Sequence, residues 1–343
     1  MLLDYSLAEI KEYVTGLGFP AFRGKQLFDA IYSGKKLNEI SNIPKEMLEA
    51  VKKDYPSFNL IKKLTAEDGT SKYIFALSDG QTVESVLMKY KYGNTVCVST
   101  QIGCRMGCKF CASTLNGLLR NLTAGEILEQ IIFINAELGG STKSRQVTNV
   151  VLMGMGEPLD NYDNVLKFLH LVSSEDGLNI SQRNITLSTC GIVPKIYQLA
   201  DDGVSVTLTI SLHATSDENR REFMPIANAY SIQEILKACR YYFEKTGRRI
   251  GFEYSLIAGG NDSLAEADKL SSLLKGLPCH VNVIPLNSVK ERALVGTNIK
   301  KAYAFVERLN KNGISATKRR TMGEDIGGAC GQLRSKVLRG EEC

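Results

Sequence analysis

The chain has 343 residues, with 42 lysines and arginines against 37 aspartates and glutamates, which gives a formal net charge of +5. This length suits one large domain plus a small one, and the ordinary composition excludes a disordered or fibrous protein. No apolar run is long enough to span a membrane, and Asp4 argues against a secretory leader, so we expect a cytoplasmic protein without a membrane partner. In that reducing compartment, the nine cysteines are interpreted first as metal ligands or reactive thiols.

Residues 1–60 are predicted to form a small helical domain. Its amphipathic stretches are Ser6–Thr15, Arg23–Tyr32 and Pro44–Asp54. Residues 61–97 are predicted to form a β-meander extension, because turn signals separate short runs rich in β-branched and aromatic residues. These runs are Tyr73–Leu77, Val83–Met88 and Val96–Thr100, the last of which leads into the next domain.

Strands and helices alternate through residues 98–343. The predicted helices are Thr123–Leu138, Asn161–Ser173, Val193–Ala200, Ile232–Lys245, Ser263–Leu274 and Asn298–Asn312. The strands that follow the one at Val96 are Asn149–Met153, Asn184–Ser188, Ser205–Ser211, Arg249–Ile257, His280–Pro285 and Ser315–Arg319. Six β/α units are too few for a closed eight-unit barrel. The predicted fold class is therefore α/β, a partial (β/α)6 TIM-like barrel that is open on one side.

Three cysteines, Cys104, Cys108 and Cys111, form a Cys-x3-Cys-x2-Cys motif directly after the first strand of this barrel. Three thiolates can hold one [4Fe-4S] cluster and leave its fourth iron open to the amino and carboxylate groups of S-adenosylmethionine (SAM). With Phe110 before the last cysteine, the motif resembles that of radical-SAM enzymes. The alternative is a structural zinc site, but such a site needs four protein ligands, and no Cys or His follows at a zinc-finger spacing.

Polar and glycine residues follow each predicted parallel strand, at the end where ligands of α/β folds gather. After the second strand, Gly154 and Gly156 let the backbone approach a ligand closely, and Glu157 can accept a hydrogen bond from the ammonium group of SAM. The candidates at the ends of the third, fourth and sixth strands are Ser188, Ser211, His213 and Asn287. The hydroxyl groups of the two serines and the side-chain amide of Asn287 suit ribose, carboxylate or adenine edges. The histidine is interpreted equally as a structural residue or as a cofactor contact.

Two further thiols lie outside the motif. Cys97 precedes Cys104 on the strand that feeds the three cysteines, and Cys330 lies between glycines in a loop that can bend into the open barrel. A buried and inert cysteine is the usual interpretation of a lone thiol, and it suits Cys239 on a predicted helix. It suits Cys330 poorly, because flanking glycines make a poor core.

Four segments stand in the order and approximate spacing of the radical-SAM RNA adenine-C2 methyltransferases, which make 2-methyladenosine in 23S ribosomal RNA and transfer RNA. The segments are Cys104–Cys111, Gly154–Pro158, Ser211–Ala214 and Ala329–Leu333. The chain resembles this family over nearly its whole length. The alternative is the sister family that methylates adenine C8 and confers antibiotic resistance on ribosomes, but it typically has alanine at the place of Pro158. Two local departures from the family are Cys190, where serine is frequent, and Ser288, where proline is frequent.

The resemblance implies a role for each candidate residue. The implied cluster ligands are Cys104, Cys108 and Cys111, and the implied SAM-binding residues are Gly156, Glu157, Ser188, Ser211, Leu212, His213 and Asn287. Two SAM molecules are implied per turnover: one methylates Cys330, and the other, cleaved at the cluster, yields the radical that takes a hydrogen from the new S-methyl group. The resulting carbon adds to adenine C2, and Glu84 accepts the C2 proton. Cys97 then attacks the Cys330 sulfur and releases the RNA, which leaves a disulfide bond.

The implied partners are 23S rRNA, tRNA, an electron donor such as flavodoxin or ferredoxin, and a disulfide reductant. Residues 1–60 would be an RNA-binding accessory domain, and residues 98–343 the radical-SAM barrel with a C-terminal catalytic loop. Residues 290–343 carry 12 lysines and arginines against 6 aspartates and glutamates, which fits a phosphate-rich partner. RNA contacts are expected at Arg23, Lys25, Lys318, Arg319 and Arg320.

Two other functions are weighed against this one. A non-catalytic RNA-binding protein with a structural metal site would leave Cys97 and Cys330 without a purpose. A glycyl-radical activating enzyme shares the cysteine motif but does not need the second pair of thiols. The resemblance therefore favours the methyltransferase.

Overall fold

Three short helices open the chain in the computed structural model, which describes residues 1–56, 59–287 and 289–333. They are α1 (Leu7–Gly16), α2 (Phe22–Tyr32) and α3 (Lys45–Val51). Ser6 caps α1, since its hydroxyl accepts from the Glu9 amide while the Glu9 carboxylate accepts from the Ser6 amide. The buried faces of these helices belong to the same continuous hydrophobic core as the barrel. The three predicted helices are confirmed, and each one begins or ends within a few residues of its prediction.

The meander contains four antiparallel strands. They are β1 (Asn59–Thr65), β2 (Ser71–Ala76), β3 (Thr82–Tyr90) and β4 (Gly93–Cys97). The sequence did not predict β1, because this exposed edge strand with its two adjacent lysines has no apolar alternation. The strand predicted to run to Thr100 ends at Cys97. Beyond that point, Gln130 accepts from the Ser99 amide at 2.9 Å and donates to its carbonyl at 3.0 Å, so a side chain takes up these backbone groups.

The remaining parallel strands and their helices follow as predicted, with two additions. A small hairpin, β5 (Gln101–Gly103) with β6 (Leu118–Asn121), carries the cysteine loop. A short helix, α7 (Asp217–Phe223), lies between the predicted strand Ser205–Ser211 and the predicted helix Ile232–Lys245. The helices are α4 (Ala124–Glu137), α5 (Tyr162–Ser173), α6 (Val193–Asp201), α7 (Asp217–Phe223), α8 (Ile232–Thr246), α9 (Leu264–Leu274) and α10 (Ile299–Lys311). The strands are β7 (Val147–Leu152), β8 (Ile185–Thr189), β9 (Thr207–Ser211), β10 (Ile250–Leu256), β11 (Cys279–Pro285) and β12 (Ala316–Lys318).

The ten-stranded sheet has the order β1-β2-β3-β4-β7-β8-β9-β10-β11-β12. From β4 to β12 the strands are parallel, and within the described residues the sheet ends at β1 and β12, so it does not close. The predicted partial (β/α)6 barrel is therefore confirmed. Because all of these strands run the same way, their C-terminal ends meet at one rim of the barrel.

The division into residues 1–60, 61–97 and 98–343 stays a prediction, and the last ten residues of that third range lie outside the described residues. Among the described helices, none is both long and apolar enough to cross a lipid bilayer.

Candidate cofactor and catalytic site

A cavity of about 140 Å³ lies at the C-terminal ends of the parallel strands. Ten of the predicted site residues line it: Cys104, Cys108, Cys111, Gly156, Glu157, Ser188, Ser211, His213, Asn287 and Cys330. They come from the cysteine loop, from the C-terminal ends of β8 and β9, from the segments after β7, β9 and β11, and from the C-terminal loop. Residues spread over more than 200 positions of sequence are thus brought together at one place. Three predicted residues do not line this cavity: Leu212, Cys97 and Glu84.

Glycines shape the loop that carries the three cysteines. Gly103 has a φ of +75°, and a Cβ there would lie 1.9 Å from the Gly117 carbonyl oxygen, so no other residue fits. The same carbonyl accepts a hydrogen bond from the Cys104 amide at 2.9 Å. The Thr114 hydroxyl donates to the carbonyls of Cys108 and Cys111, at 3.1 and 2.9 Å. The conformation of the loop is therefore held by its glycines and by hydrogen bonds within the loop.

These three thiols fit an iron–sulfur cluster better than a single ion. All three are free cysteines on one cavity wall, and burial raises the pKa of Cys104 to about 12 and that of Cys108 well above its ordinary value, which a bound metal would reverse. Within the described ranges, no three His, Cys, Asp or Glu side chains converge closely enough to hold one metal ion. Each cysteine of a cluster binds a different iron, so the cysteines need not meet at a point, as they must around zinc.

Glu157 is a buried carboxylate with a fixed orientation. Its two oxygens accept from the amides of Cys190 and Leu159, at 2.8 and 3.1 Å, and its own amide donates to Gln101 at 2.8 Å. Burial raises the pKa of Glu157, while these amides oppose the shift. Gly156 precedes it with a φ of +102°, and a Cβ there would lie 2.6 Å from the Gln101 side chain. The carboxylate is thus held at the cavity wall, as a partner for a bound ammonium group requires.

His213 is hydrogen-bonded to the backbone and also lies in the cavity wall. Its Nδ1 accepts from the Ser255 amide at 2.9 Å, so the neutral ring carries its proton on Nε2. Burial, reinforced by the positive charge of Arg220, lowers the pKa of His213 to about 3 and keeps the ring neutral. The ring lines the cavity and meets Phe110 edge to face, with centroids 4.9 Å apart.

The other predicted cofactor residues have three different surroundings. Ser188 and Ser211 lie side by side on neighbouring strands, with their hydroxyl oxygens 3.5 Å apart. Asn287 donates to the Cys330 carbonyl at 3.0 Å and thereby links the rim of the barrel to the C-terminal loop. Leu212 is fully buried, and its backbone amide donates to the backbone carbonyl of Glu253 at 3.1 Å.

Cys97 and Cys330 meet at a second, smaller cavity of about 40 Å³. Cys330 lines both cavities and is exposed to solvent within them, whereas Cys97 is buried and lines only the second one. Burial, with a smaller contribution from Cys330, raises the pKa of Cys97 to about 12. Desolvation and, to a smaller extent, the negative charge of Glu253 also raise the pKa of Cys330. The positive charge of Arg319 opposes the shifts of both thiols. Cys330 therefore lines one cavity with the three motif cysteines and the other cavity with Cys97.

Arg319 and Glu253 form an ion pair that the sequence did not predict at the site. The Nη1 atom of Arg319 lies 3.0 Å from Oε2 of Glu253, whose other oxygen accepts from Asn282 at 3.0 Å. Glu253 raises the pKa of Arg319, which lines both cavities. Arg319 was expected at the RNA surface, and instead its guanidinium belongs to the site. The signal was Glu253 itself, a charge in the middle of a buried parallel strand, where a partner is required.

Glu84 lies on β3, is 1% exposed and lines neither cavity. Its carboxylate lies 3.6 Å from Nζ of Lys72, which also donates to the Gly327 carbonyl at 3.3 Å. The structure therefore connects Glu84 to the loop of Cys330 through Lys72, without placing it at the wall of either cavity.

The chain is similar to known proteins over almost all of its length. The family model of the radical SAM superfamily matches residues 98–274. The chain is 53% identical to a probable dual-specificity RNA methyltransferase of Clostridium perfringens, covering 98% of this chain and 97% of the relative. It is 52% identical to a protein of the same description from Clostridium botulinum, covering 99% and 98%.

Among solved structures, a radical SAM methyltransferase from Sphaerobacter thermophilus superposes with a TM-score of 0.93 at 40% identity, covering 98% of this chain and 99% of that one. Identity at this level over almost the full length of each chain shows the family. The chain belongs to the radical SAM superfamily and, within it, to the family of dual-specificity RNA methyltransferases.

Proposed function

We propose that this chain methylates adenine C2 in 23S rRNA and in tRNA, at the adenosine 3′ of the tRNA anticodon and in the peptidyl-transferase loop of the rRNA. The observation that carries the proposal is the position of Cys330, which lines one cavity with the three cluster cysteines and a second one with Cys97. Adenine C2 lies between two ring nitrogens and is electron-poor, so it cannot take a methyl group as an ordinary nucleophile. A carrier thiol beside a radical source answers that difficulty.

Members of the radical SAM superfamily carry a [4Fe-4S] cluster and use SAM. Here Cys104, Cys108 and Cys111 would hold the cluster, which supplies the one-electron cleavage of SAM when it is bound. Glu157 would hold the SAM ammonium group, and Ser188, Ser211, His213 and Asn287 the rest of the molecule. The neutral Nε2–H of His213 can donate a hydrogen bond over a wide pH range, because its pKa is lowered to about 3. Leu212 would contribute backbone and shape alone.

The thiols of this chain carry the methyl group and release the product. The Cys330 thiolate would take a methyl group from one SAM by displacement and, once activated, join that carbon to adenine C2. Glu84 would accept the C2 proton, which requires the loop of Cys330 to bring the bound base toward the Lys72–Glu84 pair. The adduct would lose its unpaired electron to the oxidised cluster as it loses this proton. The Cys97 thiolate would then attack the Cys330 sulfur and form the Cys97–Cys330 disulfide. The electron pair of the broken carbon–sulfur bond would pass to the carbon, which would take up a proton and remain on the RNA as the methyl group.

The rest of the chain would bind the substrate. In the N-terminal helical unit, Phe22 is 57% exposed and the guanidinium carbon of Arg23 lies 4.8 Å from its ring centroid. An exposed aromatic ring beside a cation suits stacking on an RNA base. We assign residues 1–60 to RNA binding, and we assign the meander to the placement of Glu84 and Cys97.

Two further partners complete the proposal. Each turnover uses an electron for SAM cleavage, for which flavodoxin or ferredoxin is the proposed donor, and a reductant for the disulfide. Both requirements place the reaction in the cytoplasm, where thiol reductants are kept reduced.

Mass spectrometry of the product tests this function. The cluster-loaded protein, SAM, a reductant and an rRNA or tRNA fragment should yield 2-methyladenosine, and the Cys330→Ala variant should yield none. Pro158, which lines the cofactor cavity, favours C2 over the alternative C8 activity of the sister family, which typically has alanine there. An 8-methyladenosine product would show C8 methylation instead of C2 methylation. Unmodified RNA together with intact SAM cleavage would contradict both the C2 and the C8 activity.

A further inference from the structure

Arg220 is a fully buried cation that the site described above does not use. It lies on α7, it is 0% exposed, and it is the largest of the fully buried side chains. Within the described parts of the chain, no carboxylate forms an ion pair with it. Asp217, whose negative charge acts on the pKa of Arg220, accepts instead from the Ile232 amide at 2.7 Å. A buried charge without a counterion is costly, so its place in this fold calls for a reason.

The guanidinium joins the ends of two strands that border the cofactor cavity. Its Nη2 donates to the Cys190 carbonyl at 2.6 Å and to the Ser211 carbonyl at 3.2 Å, and its Nε donates to the Leu212 carbonyl at 3.1 Å. Cys190 directly follows β8, Ser211 is the last residue of β9, and Leu212 directly follows β9. All three are close in sequence to the cavity residues Ser188 and His213. The planar fork of arginine can hold both strand ends at once, which the single ammonium group of lysine cannot.

One edge of this guanidinium lacks a protein partner. The Nη1 atom is buried and has no hydrogen-bond acceptor among the described residues. Cys108, a ligand of the proposed cluster, packs in one buried cluster with Cys190, whose carbonyl the guanidinium holds, and with Phe223 of α7. The helix and the cysteine loop are also joined directly, because the Lys109 amide donates to the Phe223 carbonyl at 2.9 Å. Burial raises the pKa of Cys108 and Cys190, and the positive charge of Arg220 opposes both shifts. Three thiolates give a [4Fe-4S] cluster a net negative charge, which grows when the cluster is reduced. A cluster held by Cys108 would therefore supply negative charge on the side of the molecule where this buried cation has no ion pair.

We propose that Arg220 is a positioning residue with two functions: it fixes the ends of β8 and β9 around SAM, and it places a permanent positive charge beside the cluster ligand Cys108. The charge stabilises the reduced cluster more than the oxidised one and makes the electron transfer that starts SAM cleavage easier. This inference rests on the cluster and SAM, and it does not depend on which RNA or which adenine carbon is methylated.

Two substitutions separate the two functions. Arg220→Gln removes the charge, and at a fixed potential the ratio of reduced to oxidised cluster should fall about tenfold, which is about 59 mV for one electron. Arg220→Lys keeps the charge but not the fork, so the cluster potential should stay near that of the unsubstituted protein while the Kd for SAM rises about tenfold. Both are measured on anaerobic, cluster-loaded protein, by a redox titration followed by electron paramagnetic resonance and by equilibrium binding of SAM. Arg221→Gln, at the next and exposed position of α7, is the matched control and should change neither.

Each outcome decides one part of the proposal. An unchanged potential in a loaded Arg220→Gln protein overturns the effect of charge, and an unchanged SAM affinity in Arg220→Lys overturns the effect of the fork. If Arg220→Gln does not fold or load iron, Arg220→Lys decides: loading with weakened SAM binding supports the proposal, and loading with full affinity overturns it. Failure of the proposed methyltransferase function would show separately, as a loaded unsubstituted protein that leaves RNA unmodified.

Discussion

Lys72 lies 3.6 Å from the carboxylate of Glu84, and the same ammonium group donates to the carbonyl of Gly327 at 3.3 Å. Both side chains are almost fully buried on neighbouring antiparallel strands, β2 and β3. Gly327 opens the loop that carries Cys330. One lysine therefore joins the proposed proton acceptor to the loop of the proposed methyl carrier, and a change at Lys72 acts on both.

We expect Lys72→Met to lower the free energy of unfolding by about 3 kcal/mol, because it leaves a buried carboxylate without its cation. The double variant Lys72→Met/Glu84→Leu should lose less than Lys72→Met alone, since it removes both charges. Urea unfolding followed by circular dichroism measures these differences. Lys63→Met, which breaks the half-exposed Lys63–Glu137 pair, is the control and should change stability by less than about 1 kcal/mol. A double variant less stable than Lys72→Met would contradict the ion pair.

Cys97→Ala should trap the protein covalently on its RNA, whereas Cys330→Ala should not. Without Cys97, the carrier carbon can still join adenine C2, but no internal thiol releases it. The adduct should run as a slow species on a denaturing gel and disappear with ribonuclease. Cys190 is the nearby thiol that could rescue release, so Cys97→Ala/Cys190→Ala is the stricter test. Normal turnover by the double variant would show that Cys97 has no part in release.

The release step should accelerate with pH. Burial raises the pKa of Cys97 to about 12, so at neutral pH almost all of this thiol is protonated, and only the thiolate attacks a sulfur. Below that pKa the thiolate fraction rises about tenfold per pH unit, and the rate of adduct decay from pH 7 to pH 9 should follow it. Rapid quenching of a single turnover measures the decay. A flat profile would mean that Cys97 is already ionised in the adduct.

Each of Cys104→Ala, Cys108→Ala and Cys111→Ala should abolish iron loading and SAM cleavage, because three ligands leave none to spare. The matched control is Cys239→Ala, a buried thiol on α8 that lies in the main core and not at the cavity. It should keep the brown colour and the cluster absorbance, with a modest loss of stability from the missing sulfur. Full cluster absorbance in any of the three motif variants would refute the ligand assignment.

Charge reversal at Lys25 or Arg320 should weaken RNA binding and leave RNA-free SAM cleavage intact. Contacts to phosphate act through counterion release, so each lost contact should reduce the slope of log affinity against log salt by about 0.7 to 0.9. Lys237→Glu, on the exposed face of α8, is the control. Filter binding at several salt concentrations measures the slopes, and unchanged slopes would mark these residues as ordinary surface charges. Arg319 is left out of this series, because its guanidinium is paired with Glu253 inside the site.

The parallel strands and their helices could be predicted because local signals and global fold agree there. The capping pair of Thr123 and Glu126, for example, marks the start of α4, which begins at Ala124. The exposed edge strand β1 and the short helix α7 have no clear alternation of apolar and polar residues, so the structure was needed to find them. The cavity residues could be predicted because parallel strands end at one rim. Arg220 and the Arg319–Glu253 pair could not be, because a charge identifies its partner only after folding has brought the two together.

The pairing of β4 has a consequence for how the length of the chain can vary. Cys97 faces Val86 across β3 and Val151 across β7, so the short turn between β3 and β4 fixes it opposite one residue on each side. A one-residue insertion in that hairpin would turn Cys97 to the other face of the sheet and away from Cys330. The described residues between β12 and Cys330 form no strand pair, so an added residue there would not shift a strand register. Insertions and deletions near the second cavity should therefore be tolerated on the side of the carrier thiol and excluded on the side of Cys97.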